Sequence, residues 1–323
     1  MLFLTALLIS SVVLSLSLGG SISFSGSDFV TGLSAQQTLI LWEIRLPRIL
    51  MTAIIGAGLA ISGVALQALF RNPLAEPGLI GVSSSAALGA VFVMVLGGVL
   101  WQDVSVWQIS LSAFLAAGLS TLLLYAIATR NGHTDVALML LAGVAFNAIA
   151  GALTQLLITF SDDTQLRSVM FWMMGSFANL SWSSVGFVLS LVLLSTIGLW
   201  RLLKPMNAFV LGENVCLQMG YEPKWFKWQV MGFSALMVGA AVSVVGVIGF
   251  VGLVVPHIIR LWVGSDHRLV LPLSAFVGAI LLVVADLFAR LLIYPAELPI
   301  GLLMALLGGP FFLMLLLNKR RGL

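Results

Sequence analysis

Asp286 and Arg290 are the residues whose types and spacing most suggest chemistry. They stand four apart in Ala285-Asp286-Leu287-Phe288-Ala289-Arg290, which on a helix puts carboxylate and guanidinium on one face. A carboxylate inside a membrane could serve a secondary transporter as its proton relay. The plainer reading is an i,i+4 ion pair near the outer membrane face. His133, His257 and His267 are scattered without ligand spacing, and the single Cys216 excludes an internal disulfide and any multi-cysteine metal site. Cys216 itself reads as packing. No G-x-x-x-x-G-K-[ST] occurs, and none of Lys204, Lys224, Lys227 and Lys319 follows a glycine. The chain is therefore expected to bind no ATP of its own. Neither a Ser-His-Asp nor an HExxH arrangement is present, which disfavours a membrane enzyme. No catalytic residue, metal or cofactor is expected on this chain, and no basic tract suggests nucleic acid. With relay candidates so scarce, proton coupling ranks second to an energy source outside the chain.

The elements that hold these residues must live in lipid. Of 323 residues, 60% are hydrophobic and 8% charged, with a mean hydropathy of +1.14; a soluble domain carries about a quarter charged residues. Runs of about 20 apolar residues match the hydrocarbon thickness, and the alternation of a β-barrel is absent. The expected class is an all-α membrane protein. Apolar stretches lie at about 1–20, 49–70, 79–100, 106–128, 136–160, 182–203, 228–263, 270–293 and 299–317. Residues 1–20 lack a basic n-region and a clear A-x-A site and read as a retained first span.

The stretch 228–263 is too long for one span, and Gly239, Gly246, Gly249, Gly252 and Pro256 offer places to break it. Charge decides how often it crosses. If it crosses twice, with the N-terminus inside, only Arg45, Arg48, Arg167 and Arg290 of the 15 basic residues lie at the outer side. The positive-inside rule favours that arrangement. Ten transmembrane helices with both termini cytoplasmic are expected, forming one polytopic domain over 1–323. Two polar segments interrupt the short-loop pattern. Residues 21–48 are expected outside, and residues 204–227, with Gly212, Glu213, Gly220, Glu222 and Pro223, form the longest inner segment.

Residues 45–90 carry the most specific pattern: Arg45-Leu46-Pro47-Arg48, then GAGLAISGVALQALFRNPLAEPGLIGVSSSAALGA. This resembles the FecCD/cobalamin-type family of ABC importer permeases, which import cobalamin, haem and ferric siderophores into bacteria. Further resemblance lies in Leu141-Ala142-Gly143, Phe171-Trp172-Met173-Met174-Gly175, Leu211-Gly212-Glu213, the GFVGLVVPH run from Gly249 to His257, Asp266-His267-Arg268 and Glu297-Leu298-Pro299-Ile300-Gly301. It spans essentially the whole chain. The resemblance implies a type II ABC importer permease in the inner membrane. It implies a homodimer with a path along the dimer axis, two separate ATP-hydrolysing subunits below and a periplasmic binding protein above.

The resemblance also assigns roles residue by residue. Arg45, Arg48 and Arg290 match arginines that receive acidic residues of the binding protein; beside lipid headgroups they could instead snorkel. The 204–227 segment matches the loop whose short helices sit in a cleft of the ATPase, and Leu211, Gly212, Glu213, Gln218, Met219 and Gly220 match its motif region. Asn72, Pro73, Glu76, Pro77 and Gly78 read as a corner that shapes the fold without touching substrate. Gly56, Gly58 and Gly63 read as close-packing positions. Asn147, Thr154 and Gln155, the polar members of the fifth span, are candidates for the path, or for hydrogen bonds between helices. Arg167, in Asp162-Asp163-Thr164-Gln165-Leu166-Arg167, could face its mouth or be a solvated loop residue. Where a cobalamin permease has small hydroxyl residues at the inner start of the fifth span, this chain has Val136 and Ala137, so no gate is carried over there. The Asp162–Arg167 stretch leans towards haem permeases and Phe171–Gly175 towards cobalamin. An iron complex is placed first and cobalamin second.

Overall fold

The computed structural model describes residues 2–18, 32–101, 104–130 and 133–321. Residues 21–31, the first part of the polar segment expected outside the membrane, lie outside the described residues. In chain order the helices are α1 (Leu2–Ser17), α2 (Leu46–Phe70), α3 (Val82–Leu100), α4 (Val106–Ala128), α5 (Val136–Ile158), α6 (Asp163–Met174) and α7 (Trp182–Arg201). Then follow α8 (Leu203–Leu211), α9 (Glu213–Gln218), α10 (Pro223–Val245), α11 (Val251–Val263), α12 (His267–Leu291) and α13 (Ile300–Arg321). Between α4 and α5 the chain makes a small hairpin, β1 (Thr129–Arg130) antiparallel to β2 (His133–Thr134), with Thr129 opposite Thr134.

Among the described residues, seven helical runs are long and apolar enough to cross a membrane: 35–70, α3, α4, α5, α7, α10 and α12. Three shorter apolar helices, α1, α11 and the Ile300–Leu315 part of α13, accompany them. The run 228–263 is indeed two helices, but the breaks are fewer than its glycines and proline offered. The chain leaves α10 at Gly246 (φ 76°) and enters α11 at Phe250 (φ 69°), while Gly239 and Pro256 stay helical. At 13 residues, α11 rises only about 20 Å, short of the roughly 30 Å hydrocarbon core.

Helix α2 forms the centre. In its run 78% of the most apolar window is buried, against 17% for α5, so α2 is a core helix and α5 a boundary one. Glycines explain how α2 is so closely surrounded. A Cβ on Gly56 would meet the backbone of Gly278 on α12, and one on Gly63 the backbone of Gly252 on α11. Small residues of this kind let helix backbones touch in lipid.

Two expectations about segments need correction. The stretch expected as an outer connection up to residue 48 is helical from Ala35, with a π-helical turn over Ile40–Arg45 leading into α2. The Asp162–Arg167 stretch, considered as a solvated loop, starts α6. The Asp162 carboxylate accepts from the backbone of Thr164 and Gln165, and the Gln165 side chain accepts from the Asp162 N–H. That reciprocal cap satisfies donors a helix start otherwise leaves orphaned.

Candidate functional site

One end of the bundle is tied together by charge. Arg48 on α2 donates through Nε to both oxygens of Asp286 on α12 at 3.1 Å, through Nη2 to Oδ1 at 2.9 Å, and through Nη1 to Glu297 Oε1 at 2.9 Å. Arg290 Nε lies 3.2 Å from Asp286 Oδ2, and its Nη2 donates to Ser15 Oγ of α1 at 2.6 Å. Arg45 donates to the Leu16 carbonyl. The i,i+4 reading of Asp286 and Arg290 therefore holds, within a larger network. Both Asp286 oxygens are engaged by arginines, so this carboxylate has a structural occupation that a proton relay would have to break.

The three arginines gather at one end of the bundle, but they are not exposed. Arg45, Arg48 and Arg290 are only 5%, 8% and 6% accessible. The reason is local: helix continues through 35–48, so Arg45 and Arg48 fall on its inward face, where internal carboxylates and carbonyls take them. Glu297, with 41% of its side chain accessible, is the solvent-facing member of the network. Glu297 stands 249 residues beyond Arg48, so no local pattern in the sequence pairs the two.

Alongside α5 is a cavity of about 440 Å³. Its wall includes Ser83 and Ser84 at the start of α3, Asn147, Thr154 and Gln155 on α5, and Met173 on α6. Asn147 Nδ2 donates to the Gly78 carbonyl at 3.1 Å, and Ser84 Oγ donates to Asn147 Oδ1. Asn147 thus both lines the cavity and bonds between elements. Thr154 is buried and donates to the Ala150 carbonyl at 2.7 Å, while Gln155 is exposed. Arg167 is not on this wall. It is exposed on α6 and lines a separate pocket with Leu166, Met170 and Phe171. The 72–78 corner comes nearer to the site than expected: Gly78 borders the cavity, and Glu76 lines a neighbouring space of about 130 Å³. The Glu76 carboxylate accepts from the Phe250 N–H, holding the start of α11.

The opposite end carries the α8–α9 pair. Gly212 joins the two helices at φ 134°, a backbone region open to glycine and strained for other residues. Inner side chains anchor the pair. Phe209 packs on Phe226 with centroids 4.7 Å apart, and the Arg71 guanidinium lies 5.6 Å from the Phe209 ring centre. Asn207 donates to Asp266 Oδ1 at 2.7 Å and accepts from the His267 N–H at 3.0 Å. Asp266, which caps α12, is held below the usual carboxylate range by the backbone N–H of Arg268 and by Asn207. Cys216 is buried, in line with the packing reading, and burial pushes its thiol up. Leu211, Leu217, Gln218, Met219 and Gly220 face solvent. Glu213 does not turn fully outward with them; it pairs with the buried Lys227 at 2.7 Å. Lys227 had been read only as an inner basic residue. Its place at the head of a long apolar stretch was the signal of burial.

The model of the FecCD transport family matches residues 3–318. The chain is 44% identical over 279 residues to the hemin transport system permease protein HmuU of Yersinia pestis, covering 86% of this chain and 83% of that one. It is 42% identical over 325 residues to the vitamin B12 import system permease protein BtuC of Escherichia coli O9:H4 (strain HS), covering 99% and 95%. Among solved structures, an inward-facing conformation of a metal-chelate type ABC transporter superposes with a TM-score of 0.89 at 34% identity over 98% of both chains. The PsaBC structure from Streptococcus pneumoniae shares the fold, with a TM-score of 0.57 at 17% identity over 89% of this chain and 94% of that one.

Proposed function

Because this chain belongs to the FecCD transport family, we propose that it is the membrane permease of an ABC importer that passes an iron complex, haem or a ferric siderophore, from periplasm to cytoplasm. The observation that carries the reading is the α8–α9 pair. Leu211, Leu217 and Met219 are 70%, 54% and 56% accessible on helices whose opposite faces are braced into the bundle. Exposed apolar side chains on a rigid platform suit a protein partner, and a separate ATP-hydrolysing subunit is the partner proposed here. The basic residues gathered at this end favour a cytoplasmic orientation for it and for both termini. Ten crossings follow if the three shorter apolar helices also traverse the bilayer.

The cavity supports a metal carried inside a chelate over a naked cation. Its wall offers hydroxyls, amides and a thioether, which can pass a large and partly apolar complex without ligating its metal. The sparse burial of α5 beside this cavity supports a homodimer in which a second copy completes the path. A periplasmic binding protein would dock at the arginine end, its acids competing with Glu297 for Arg48. Cobalamin is the second reading, favoured by the near-complete match to the vitamin B12 permease.

The test is uptake in vesicles holding the permease, its ATPase and its binding protein, with haem, a ferric siderophore and cobalamin offered separately. ATP-dependent uptake of an iron complex is expected. Uptake of cobalamin alone would select the second reading, and uptake that follows a proton gradient without ATP would overturn the importer assignment.

A further inference from the structure

Lys227 stands where three elements meet, and its surroundings give it more than a packing role. It lies early in α10, with its side chain 2% accessible. Its ammonium donates to Glu213 Oε1 of α9 at 2.7 Å and to the carbonyl of Thr134 at 3.1 Å. The Phe209 ring of α8 has its centre 5.8 Å from the same nitrogen, within reach of a cation–π contact. One buried charge therefore touches both short helices and the strand that leads into α5.

The Thr134 carbonyl immediately precedes Asp135, the residue that caps α5 by accepting from the Ala137 and Leu138 N–H groups at 2.8 and 3.1 Å. The hairpin beneath is closed by the Asp135 N–H on the Ala128 carbonyl at 2.9 Å and by the Thr129 and Thr134 hydroxyls at 3.0 Å. Helix α5 carries Asn147, Thr154 and Gln155 of the cavity wall and is the least buried of the long spans. At that end Met139 is buried in the core and Val136 and Leu140 pack against it, so the start of α5 moves together with whatever grips its cap. A buried ammonium cannot be parted from its carboxylate without a large desolvation penalty. Movement of α9 should therefore carry Lys227 with it and pull on the start of α5.

We propose that Lys227 is the positioning residue through which displacement of the α8–α9 pair reaches the cavity wall on α5. The inference rests on the permease reading above and adds the route by which that segment acts.

The test uses the full importer in vesicles and reads substrate taken up per ATP hydrolysed. Lys227→Met should keep ATP hydrolysis within about twofold of the parent while uptake per ATP falls at least fivefold, and Lys227→Arg should restore more than half of it. Should Lys227→Met fail to accumulate in the membrane, Glu213→Gln decides, with uptake per ATP expected to fall about twofold to threefold. An unchanged ratio in whichever variant is measured, even with both rates lowered together, overturns the proposal. Failure of the parent itself to depend on ATP would instead overturn the permease reading, so the two failures are distinguishable.

Discussion

Gln67 Nε2 on α2 donates to the carbonyl of Gly252 on α11 at 3.2 Å. In an unbroken helix that carbonyl would receive the N–H of the residue four positions on, but that residue is Pro256, which has none. The side-chain amide supplies the missing donor from the neighbouring helix, and its own oxygen accepts from Arg260. This lets Pro256 remain inside α11 instead of breaking it.

Gln67→Leu removes the donor, leaving the buried Gly252 carbonyl unsatisfied and the partly buried Arg260 guanidinium without its Gln67 acceptor. A loss of about 1–3 kcal/mol is expected for each buried group left unsatisfied. Thermal unfolding of the purified chain in detergent checks this, with a lower midpoint expected. A midpoint equal to the parent would show that the carbonyl finds another partner.

Backbone contact and side-chain contact should respond differently to one added methyl. At Gly63 the methyl would meet the Gly252 backbone, whereas at Gly58 the nearest atom is a Val192 methyl at 3.3 Å, which can give way. Gly63→Ala is expected to cost about 1–3 kcal/mol, the usual range for overpacking, and Gly58→Ala clearly less. Paired unfolding midpoints of the two variants check the order.

Asp286→Asn takes the shared anion from between Arg48 and Arg290. Removing one partner of a buried ion pair costs about 3–5 kcal/mol, so the variant should unfold earlier. What remains folded should still transport in proportion to ATP. A well-folded variant that had lost response to a proton gradient would revive the relay reading.

Glu297→Gln frees Arg48 from its half-exposed counter-ion and should tighten docking of the binding protein. The gain is roughly 1.4-fold to fivefold, as about 0.2–1 kcal/mol for such a pair implies. It should be largest at low salt, where charge pairing is least screened. Weaker docking on titration would mean that Glu297 is itself a contact.

The sequence made the membrane class, the two-helix nature of 228–263 and the α8–α9 segment legible. Spans announce themselves by apolar length, and Gly212 by the turn it permits. Side-chain direction was less legible. Arg45 and Arg48 looked solvent-facing because the helix from Ala35 has no long apolar run ahead of residue 49, and hydropathy does not register a π-turn. Their partners, Asp286 and Glu297, lie some 240 residues downstream, beyond any local pattern. Asn147 was found as a polar residue in a span, but its bond to Gly78 depends on a corner folding back beside α5. Lys227 shows the same limit: its position ahead of an apolar stretch hinted at burial, but only the fold brings Glu213 and Thr134 around it.

We propose that this chain conducts while another protein supplies the energy through α8–α9. The most direct measurement compares uptake of an iron chelate into vesicles holding the purified chain alone with uptake into vesicles that also hold its ATPase and binding protein. The chain alone should hydrolyse no ATP and accumulate nothing, and the complete set should concentrate the chelate only when ATP is present. Accumulation by the chain alone would show that it needs no outside source of energy and would overturn the permease reading.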